Sequence, residues 1–210
     1  MNLVEHPMNR TALRNVEHVH KFCKAVGVRP NQMIFDVGAN IGTYSIPLSG
    51  YHDLVVYAFE PSPTTFEILM RNLELNDVPV RAFNFGLGSE DGVLTLSMPE
   101  GKDRGNIGCK TVYGDGIDRE AVKICRLDDF CLLHGVQPHY LKIDVEGAEI
   151  EVLKGAEETL ETVEAILIEM NEQALERAGT SVADLRAKLH DHGFVEGEKV
   201  SKMDTIWRKA

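Results

Sequence analysis

The sequence has one tryptophan, four cysteines and eight prolines in 210 residues, and its 22 Lys and Arg are outnumbered by 33 Asp and Glu. Each shortage excludes something. No run approaches the 18 or so apolar residues that a membrane-crossing helix needs. The opening stretch MNLVEHPMNRTALRN has no basic segment followed by an apolar one, so it is not read as a secretory signal. The closest cysteines, Cys125 and Cys131, stand six positions apart, and with no C-x-x-C pair a zinc site is not expected. Without a secretion signal the four thiols are expected to be free, in a reducing cytoplasm. A net charge of −11 repels phosphate backbones and anionic lipid at long range, so it argues against nucleic acid as the main partner and against anionic membrane surfaces.

What remains is an ordinary globular composition, 43% apolar and 26% charged, enough to bury a core. The acids are unevenly placed. Between Asp144 and Glu176 there are eleven of them against one base, Lys154. Either this segment holds a site, or it is a solvated face.

Apolar spacing divides the chain. Met8 to Val26 carries Leu13, Val16, Val19, Phe22, Cys23 and Val26 at intervals of three or four, which predicts an amphipathic helix within an N-terminal extension over 1–30. Strands are predicted at Met33–Val37, Val55–Phe59, Val80–Phe85, Tyr140–Ile143 and Ala165–Met170. Helices are predicted at Ile41–Ser49, Thr64–Leu75, Ala148–Leu160 and Val182–His190, and short final strands at Phe194–Val195 and Thr205–Arg208. Continuous apolar strands alternating with helices indicate a parallel sheet covered on both faces. Over 92–127 the period changes to two, in Gly92–Met98 and Ala121–Leu127, which predicts an antiparallel excursion. Its connection, 99–118, holds five glycines and is either functional or simply unordered. No repeat or linker interrupts the chain, so one domain over 1–210 is expected.

Three predicted strand ends carry polar chemistry. Asp36-Val-Gly38-Ala39-Asn40-Ile-Gly42 leads from the first strand toward a helix, whose unpaired N–H groups are expected to face a bound anion. Glu60 closes the second strand, 24 positions after Asp36, where an acid meets ribose hydroxyls; Pro61 follows, and Ser62 is a suitable N-cap. Gly86, Leu87 and Gly88 follow the third. In an open parallel sheet such ends face one crevice, and this combination suits an adenosine-type cofactor.

MIFDVGANIGTYS, VYAFEPSPTTFEILMRNLELN, FNFGLGSEDGVLTL and LKIDVEGAEIEVLKG together resemble the FkbM-type S-adenosylmethionine-dependent methyltransferases, from about Met33 to Met170. The resemblance implies a Rossmann-like class I methyltransferase fold: a seven-stranded, mostly parallel sheet with an antiparallel last strand. It implies transfer of a methyl group to a hydroxyl of a sugar, glycan or natural product, leaving S-adenosylhomocysteine. By the same resemblance Asp36, Gly38, Ala39, Asn40 and Gly42 would surround the methionine moiety and Glu60 would hold the ribose. Pro61 and Ser62 would flank ribose and adenine, Gly86, Leu87 and Gly88 would line the adenine, and Asp144 would face the methyl group.

An alcohol is a poor nucleophile until its proton leaves, so a base or a metal near the methyl helps. Asp144, Glu146 and Glu169 are the candidate catalytic carboxylates. Asp144 and Glu146 alternate at a strand end, so only one of them is expected to enter the crevice. Glu149 falls in a helix's first turn, where the dipole favours a carboxylate. A Mg²⁺ site built from Asp144, Glu169 and Asn171 is the alternative, and the metal-free reading is preferred. His134 and His139 flank the fourth strand and are expected to be packing or surface residues. A nicotinamide-dependent oxidoreductase would share the acid after the second strand, but Gly-x-Gly-x-x-Gly is missing. A non-catalytic module retaining the cofactor pocket is the third reading. Glu151, Glu157, Glu158, Glu161 and Glu164 are expected to form a solvated face. The oligomeric state is open.

Overall fold

The structure is a computed structural model and describes residues 9–98, 109–114 and 116–210, with side chains from residue 14 onward. Most of the glycine-rich connection, and residues 1–8 of the predicted N-terminal extension, lie outside these.

The elements run α1 (Asn9–Val26), β1 (Met33–Val37), α2 (Ser45–Ser49), β2 (Val55–Phe59), α3 (Pro63–Asn76), β3 (Arg81–Phe83), β4 (Gly86–Leu87), β5 (Gly92–Met98) and β6 (Ile117–Cys125). Then come α4 (Leu127–His134), β7 (Tyr140–Ile143), α5 (Glu149–Lys154), β8 (Ala165–Glu169), α6 (Glu172–Arg177), α7 (Val182–Asp191), β9 (Phe194–Lys199) and β10 (Asp204–Lys209). Seven strands form one sheet in the order β3-β2-β1-β7-β8-β10-β9, all parallel except β10. The seven-stranded, mostly parallel expectation therefore holds. A second sheet, β4-β6-β5, pairs β5 and β6 antiparallel and β4 parallel to β6.

Period-two geometry divides the strand residues between two cores. On one face Phe35, Tyr57, Phe59, Leu141, Ile143, Ile166 and Ile168 pack against α4, α5 and α7. Here the rings of Phe35 and Tyr57 stack at 5.0 Å and those of Phe59 and Phe83 at 5.3 Å, with Phe130 of α4 edge-on to Phe59 at 5.0 Å. On the other face Ile34, Val56, Tyr140 and Leu167 meet Val19, Phe22 and Cys23 of α1. All four cysteines are free; Cys23 and Cys131 are buried.

Several predicted boundaries shift for local reasons. α2 starts at Ser45 rather than at residue 41, because Asn40 (φ 51°) and Gly42 (φ 89°) hold the chain in left-handed turns. α5 stops at Lys154 with Gly155 following, and a 3-10 turn at Thr159–Glu161 replaces its predicted second half. β3 is shortened to Arg81–Phe83 and residues 86–87, expected as a turn, form β4. The second excursion strand ends at Cys125 because Leu127, Asp128, Phe130 and Cys131 bury one side of α4, a helix the sequence reading missed along with α6. No described helix is long and apolar enough to cross a membrane.

Candidate active site

The carboxyl ends of β1, β2, β7 and β8, the turns between β1 and α2 and the second sheet enclose a cavity of about 320 Å³. That volume lies at the small end of the range for small-molecule sites.

Its floor is backbone. Gly38 (φ 79°) and Ala39 both donate N–H bonds to the Phe59 carbonyl at 3.0 Å. A Cβ at Gly38 would stand 1.9 Å from the Asp144 carbonyl oxygen, so no other residue fits between β1 and β7. Asn40 lines the cavity as well, its N–H donating to Glu60 Oε2 at 2.9 Å. The helix α2, expected to point its N-terminus at a ligand, reaches the cavity through its N-cap Tyr44 and the preceding Thr43, while its first residue, Ser45, lies outside the lining. Gly42 is also outside: a Cβ there would press on Leu69 Cδ1 of α3 at 2.9 Å. Asp36 lies beneath the floor, fully buried, accepting from Ser45 Oγ at 2.5 Å and standing 3.1 Å from Lys142 Nζ.

One end of the cavity is a slot. Glu60 is buried there, its other oxygen accepting from the Ser62 N–H at 2.9 Å. Burial pushes its carboxyl up to about 7, against the pull of those two N–H groups and the more distant Lys110 and Lys142. Pro61, Gly86, Leu87, Leu96, Val112 and Ile124 make the apolar walls. Ser62 stands behind the wall, capping α3 through the Thr65 N–H and hydrogen-bonded to Glu120. Gly88 does not line the slot either; its carbonyl packs where a Cβ on Gly155 would be 1.9 Å away. A flat ring and a vicinal diol match this end.

The other end is acidic. Asp144, Glu146 and Glu169 offer carboxylate oxygens all within 4.8 Å of one another. The expectation that only one of Asp144 and Glu146 enters is corrected. Glu146 (φ 54°) and Gly147 (φ 106°) reverse the chain after β7, which brings both to the cavity. The turn is held from inside by Glu149, whose Oε1 accepts from the N–H groups of Val145 (3.1 Å) and Gly147 (3.3 Å). So Glu149, in the first turn of α5 as expected, is also a buried strut.

Glu169 is 8% exposed, and its Oε2 has no hydrogen-bond partner. Burial, then the charges of Asp144, Glu146, Glu149 and Asp204, push its carboxyl up to about 9. Burial also raises Asp144, with Asp204 and Asp36 adding to it and Lys142 opposing. The oxygen-rich trio has the donor set of a hard divalent cation site. Asn171 does not belong to it, because its Oδ1 accepts from the Ala174 N–H and caps α6.

Several cavity residues escaped the sequence reading. Lys142 shows as a charge inside the apolar run YLKI, a signal that was available. Asn15 of α1, hydrogen-bonded to Thr43 at 2.9 Å, and Tyr44 carry no such mark. Lys110, Leu96, Val112 and Ile124 come from the excursion and its connection. His134 packs on Phe130 at 4.3 Å and His139 accepts from the Met33 N–H, so neither reaches the cavity. Of the acidic segment's remainder, Glu157, Glu158 and Glu161 are exposed, while Glu151 and Glu164 are part-buried and pair with Lys154 and Arg29.

Comparison with known proteins agrees with this geometry. The chain is 34% identical over 199 residues to a methyltransferase of Sordaria araneosa, covering 78% of this chain and 74% of that one. It is 30% identical over 149 residues to the hexuronic acid methyltransferase AglP of Haloferax volcanii (67% and 56% covered). It is 26% identical over 199 residues to the 31-O-demethyl-FK506 methyltransferase FkbM of Streptomyces tacrolimicus (80% and 75%). A Pyrococcus furiosus methyltransferase shares the fold with a TM-score of 0.55 at 14% identity, covering 100% of this chain and 89% of its own. The domain model described as "Methyltransferase FkbM domain" matches residues 36–196. A match over that much of the chain, on a sheet of this strand order, makes the protein a methyltransferase and a member of the FkbM family.

Proposed function

We propose that the protein transfers the methyl group of S-adenosylmethionine to a hydroxyl of a sugar, glycan or natural-product acceptor. The observation that carries this reading is the cavity's polarity: Glu60 beside an apolar slot at one end, and three carboxylates at the other. Glu60 would take the ribose hydroxyls, the Gly38–Asn40 floor the methionine chain, and Pro61, Gly86 and Leu87 the adenine. When bound, the cofactor supplies an electrophilic methyl carbon, to which the acceptor oxygen bonds as the carbon–sulfur pair returns to sulfur.

The acidic end attracts a cationic ligand, but attraction to the sulfonium alone favours the ground state, not the transition state. The carboxylates therefore contribute to rate by orienting the acceptor and taking its proton. Glu169, raised to about 9 in the free protein, would be driven toward its ionised form by the bound sulfonium, and its buried oxygen without a partner then gives that hydroxyl an acceptor. The relative named for 31-O-demethyl-FK506 supports a hydroxyl acceptor on a natural product, and the one named for a hexuronic acid supports a sugar acceptor.

Calorimetry against S-adenosylmethionine and against NAD tests the cofactor; absence of binding to the former ends the reading. Transfer of labelled methyl to a panel of glycans and natural products tests the acceptor. The 4.8 Å trio favours a second reading of proton removal, with a divalent cation held by Asp144, Glu146 and Glu169. Chelation decides: turnover that survives EDTA leaves the proton to a carboxylate, and turnover that is lost gives the trio to the cation.

A further inference from the structure

Lys142 lies in the middle of β7, is 3% exposed, and has Asp36 of β1 and Leu167 of β8 as its register partners. Its Nζ stands 3.1 Å from Asp36 Oδ1, donates to the Gly38 carbonyl at 3.1 Å and stands 3.6 Å from Asp144 Oδ2. The ring of Tyr44 covers it, with Nζ 4.9 Å from the ring centre. An ammonium has three donors and no acceptor. Here it donates to one carbonyl, while two carboxylates and one aromatic face balance its charge.

A buried ion pair contributes little stability compared with an apolar pair of the same volume. A pairing with Asp36 alone would therefore be a poor reason to bury a lysine here. The other two oxygens are what distinguish the site. The Gly38 carbonyl belongs to the cavity floor and the Asp144 carboxylate to the acidic end, and both line the cavity. One cation thus ties the turn after β1 to the turn after β7, from below.

We propose that Lys142 is a positioning residue: it holds the Gly38 carbonyl and the Asp144 carboxylate in the fixed relation that receives the cationic, amino-acid end of the cofactor. This rests on the cofactor reading above. Lys142 acts through Asp144 and Gly38. An arginine would not replace it, since a planar fork spreads five donors where three converging ones are needed.

The experiment is titration calorimetry with S-adenosylmethionine and S-adenosylhomocysteine on wild type, Lys142→Met, Asp144→Asn, Lys142→Met/Asp144→Asn and Asp36→Asn/Lys142→Met, with the melting temperature of each. Lys142→Met is expected to bind both ligands at least ~10-fold more weakly, the scale of a lost charged hydrogen bond. It also strands Asp36, so it melts lower. Asp36→Asn/Lys142→Met removes the stranded charge and recovers the melting temperature, giving a folded protein even if Lys142→Met is not. Its affinity is expected to stay low. Lys142→Met/Asp144→Asn is expected to bind more weakly than Asp144→Asn by a smaller factor than Lys142→Met costs the wild type, since only the Gly38 contact is left to lose. Affinity restored together with stability in Asp36→Asn/Lys142→Met would show that Lys142 only neutralises Asp36, and overturns the proposal. So would losses that multiply when Lys142 and Asp144 are changed together. A wild type that binds neither ligand overturns the cofactor reading and this inference with it, whereas the other two outcomes leave the cofactor reading standing.

Discussion

The backbone N–H of Asn40 donates to Glu60 Oε2 at 2.9 Å, so the turn after β1 is tied to the acid that follows β2. The Ser62 N–H occupies the other oxygen, and each oxygen keeps a second lone pair for a ligand.

With its carboxyl at about 7, Glu60 is half ionised near neutral pH in the free protein. Ribose hydroxyls bind the ionised form better. Affinity for S-adenosylmethionine is therefore expected to rise by up to ~10-fold between pH 6 and 8, following the ionised fraction. In Glu60→Gln that rise should disappear. Calorimetry at pH 6, 7 and 8 on both proteins checks this, and an equal slope in the two would contradict it.

Stability moves the opposite way. A carboxyl raised above its ordinary value of 4.5 contributes stability that is fully present below 4.5 and lost as pH rises through about 7. At most ~3 kcal/mol is involved. Glu60→Gln keeps only one of the two N–H bonds and starts less stable, but its stability should not decline over this range. The gap between the proteins is expected to narrow from pH 4.5 to 8 in urea titrations.

Gly38 and Gly27 both have left-handed backbones, at φ 79° and 69°, yet their surroundings differ. An added Cβ meets nothing within 4 Å at Gly27 but backbone at 1.9 Å at Gly38. Gly27→Ala should cost about 1 kcal/mol, the strain of the conformation alone. Gly38→Ala should cost more than ~3 kcal/mol, because the ends of β1 and β7 must separate. Melting of the two variants compares them directly.

Much of this was legible in the sequence because strands announce themselves by continuous apolar runs. MIFDV, VVYAF, YLKI and AILIE each became a strand within a residue or so of where it was read. Their carboxyl ends then had to meet, which brought Gly38, Glu60 and Asp144 together without any knowledge of the folded chain. Asp36, Gly42, Ser62 and Gly88 belong to the same motifs but support the cavity from behind. Pattern alone does not tell a lining residue from the one that braces it.

The rest depended on geometry that short-range patterns do not carry. Lys142 is informative only once β1 and β7 are in register, since its partners lie about 100 positions away in the chain except for Asp144. The joint entry of Asp144 and Glu146 depends on two successive left-handed residues, one of them not glycine. Asn15 reaches the cavity because α1 packs across the sheet through Val19, Phe22 and Cys23.

Phe130 of α4 stands edge-on to Phe35, Tyr57, Phe59 and Phe83, so four rings from three adjacent strands lean on one side chain. Phe130→Ala is expected to destabilise the fold by ~3–5 kcal/mol, transfer and cavity terms together. Urea unfolding measures it. A loss below 1 kcal/mol would mean that α4 collapses onto the strands and refills the space.

Glu149 gives the sharpest test of how the acidic end is assembled. Its Oε1 accepts the N–H groups of Val145 and Gly147, and Oε2 is buried without a partner. Burial raises its carboxyl, opposed by those N–H groups, while Asp144 adds to the rise. Removing the side chain leaves two N–H groups with no acceptor inside the turn, at ~1–3 kcal/mol each. It also relieves one carboxylate's repulsion of Glu169 and Asp144. The first effect should win, because hydrogen bonds at 3.1 and 3.3 Å are local and the repulsion is shared among several acids. Glu149→Ala is therefore expected to melt lower at every pH from 5 to 9. Its methyl transfer should fall more than its cofactor affinity, since Glu146 leaves the trio when the turn relaxes while Glu60 and the Gly38 floor stay in place. Equal losses in both would mean that the turn also holds the cofactor's end of the cavity.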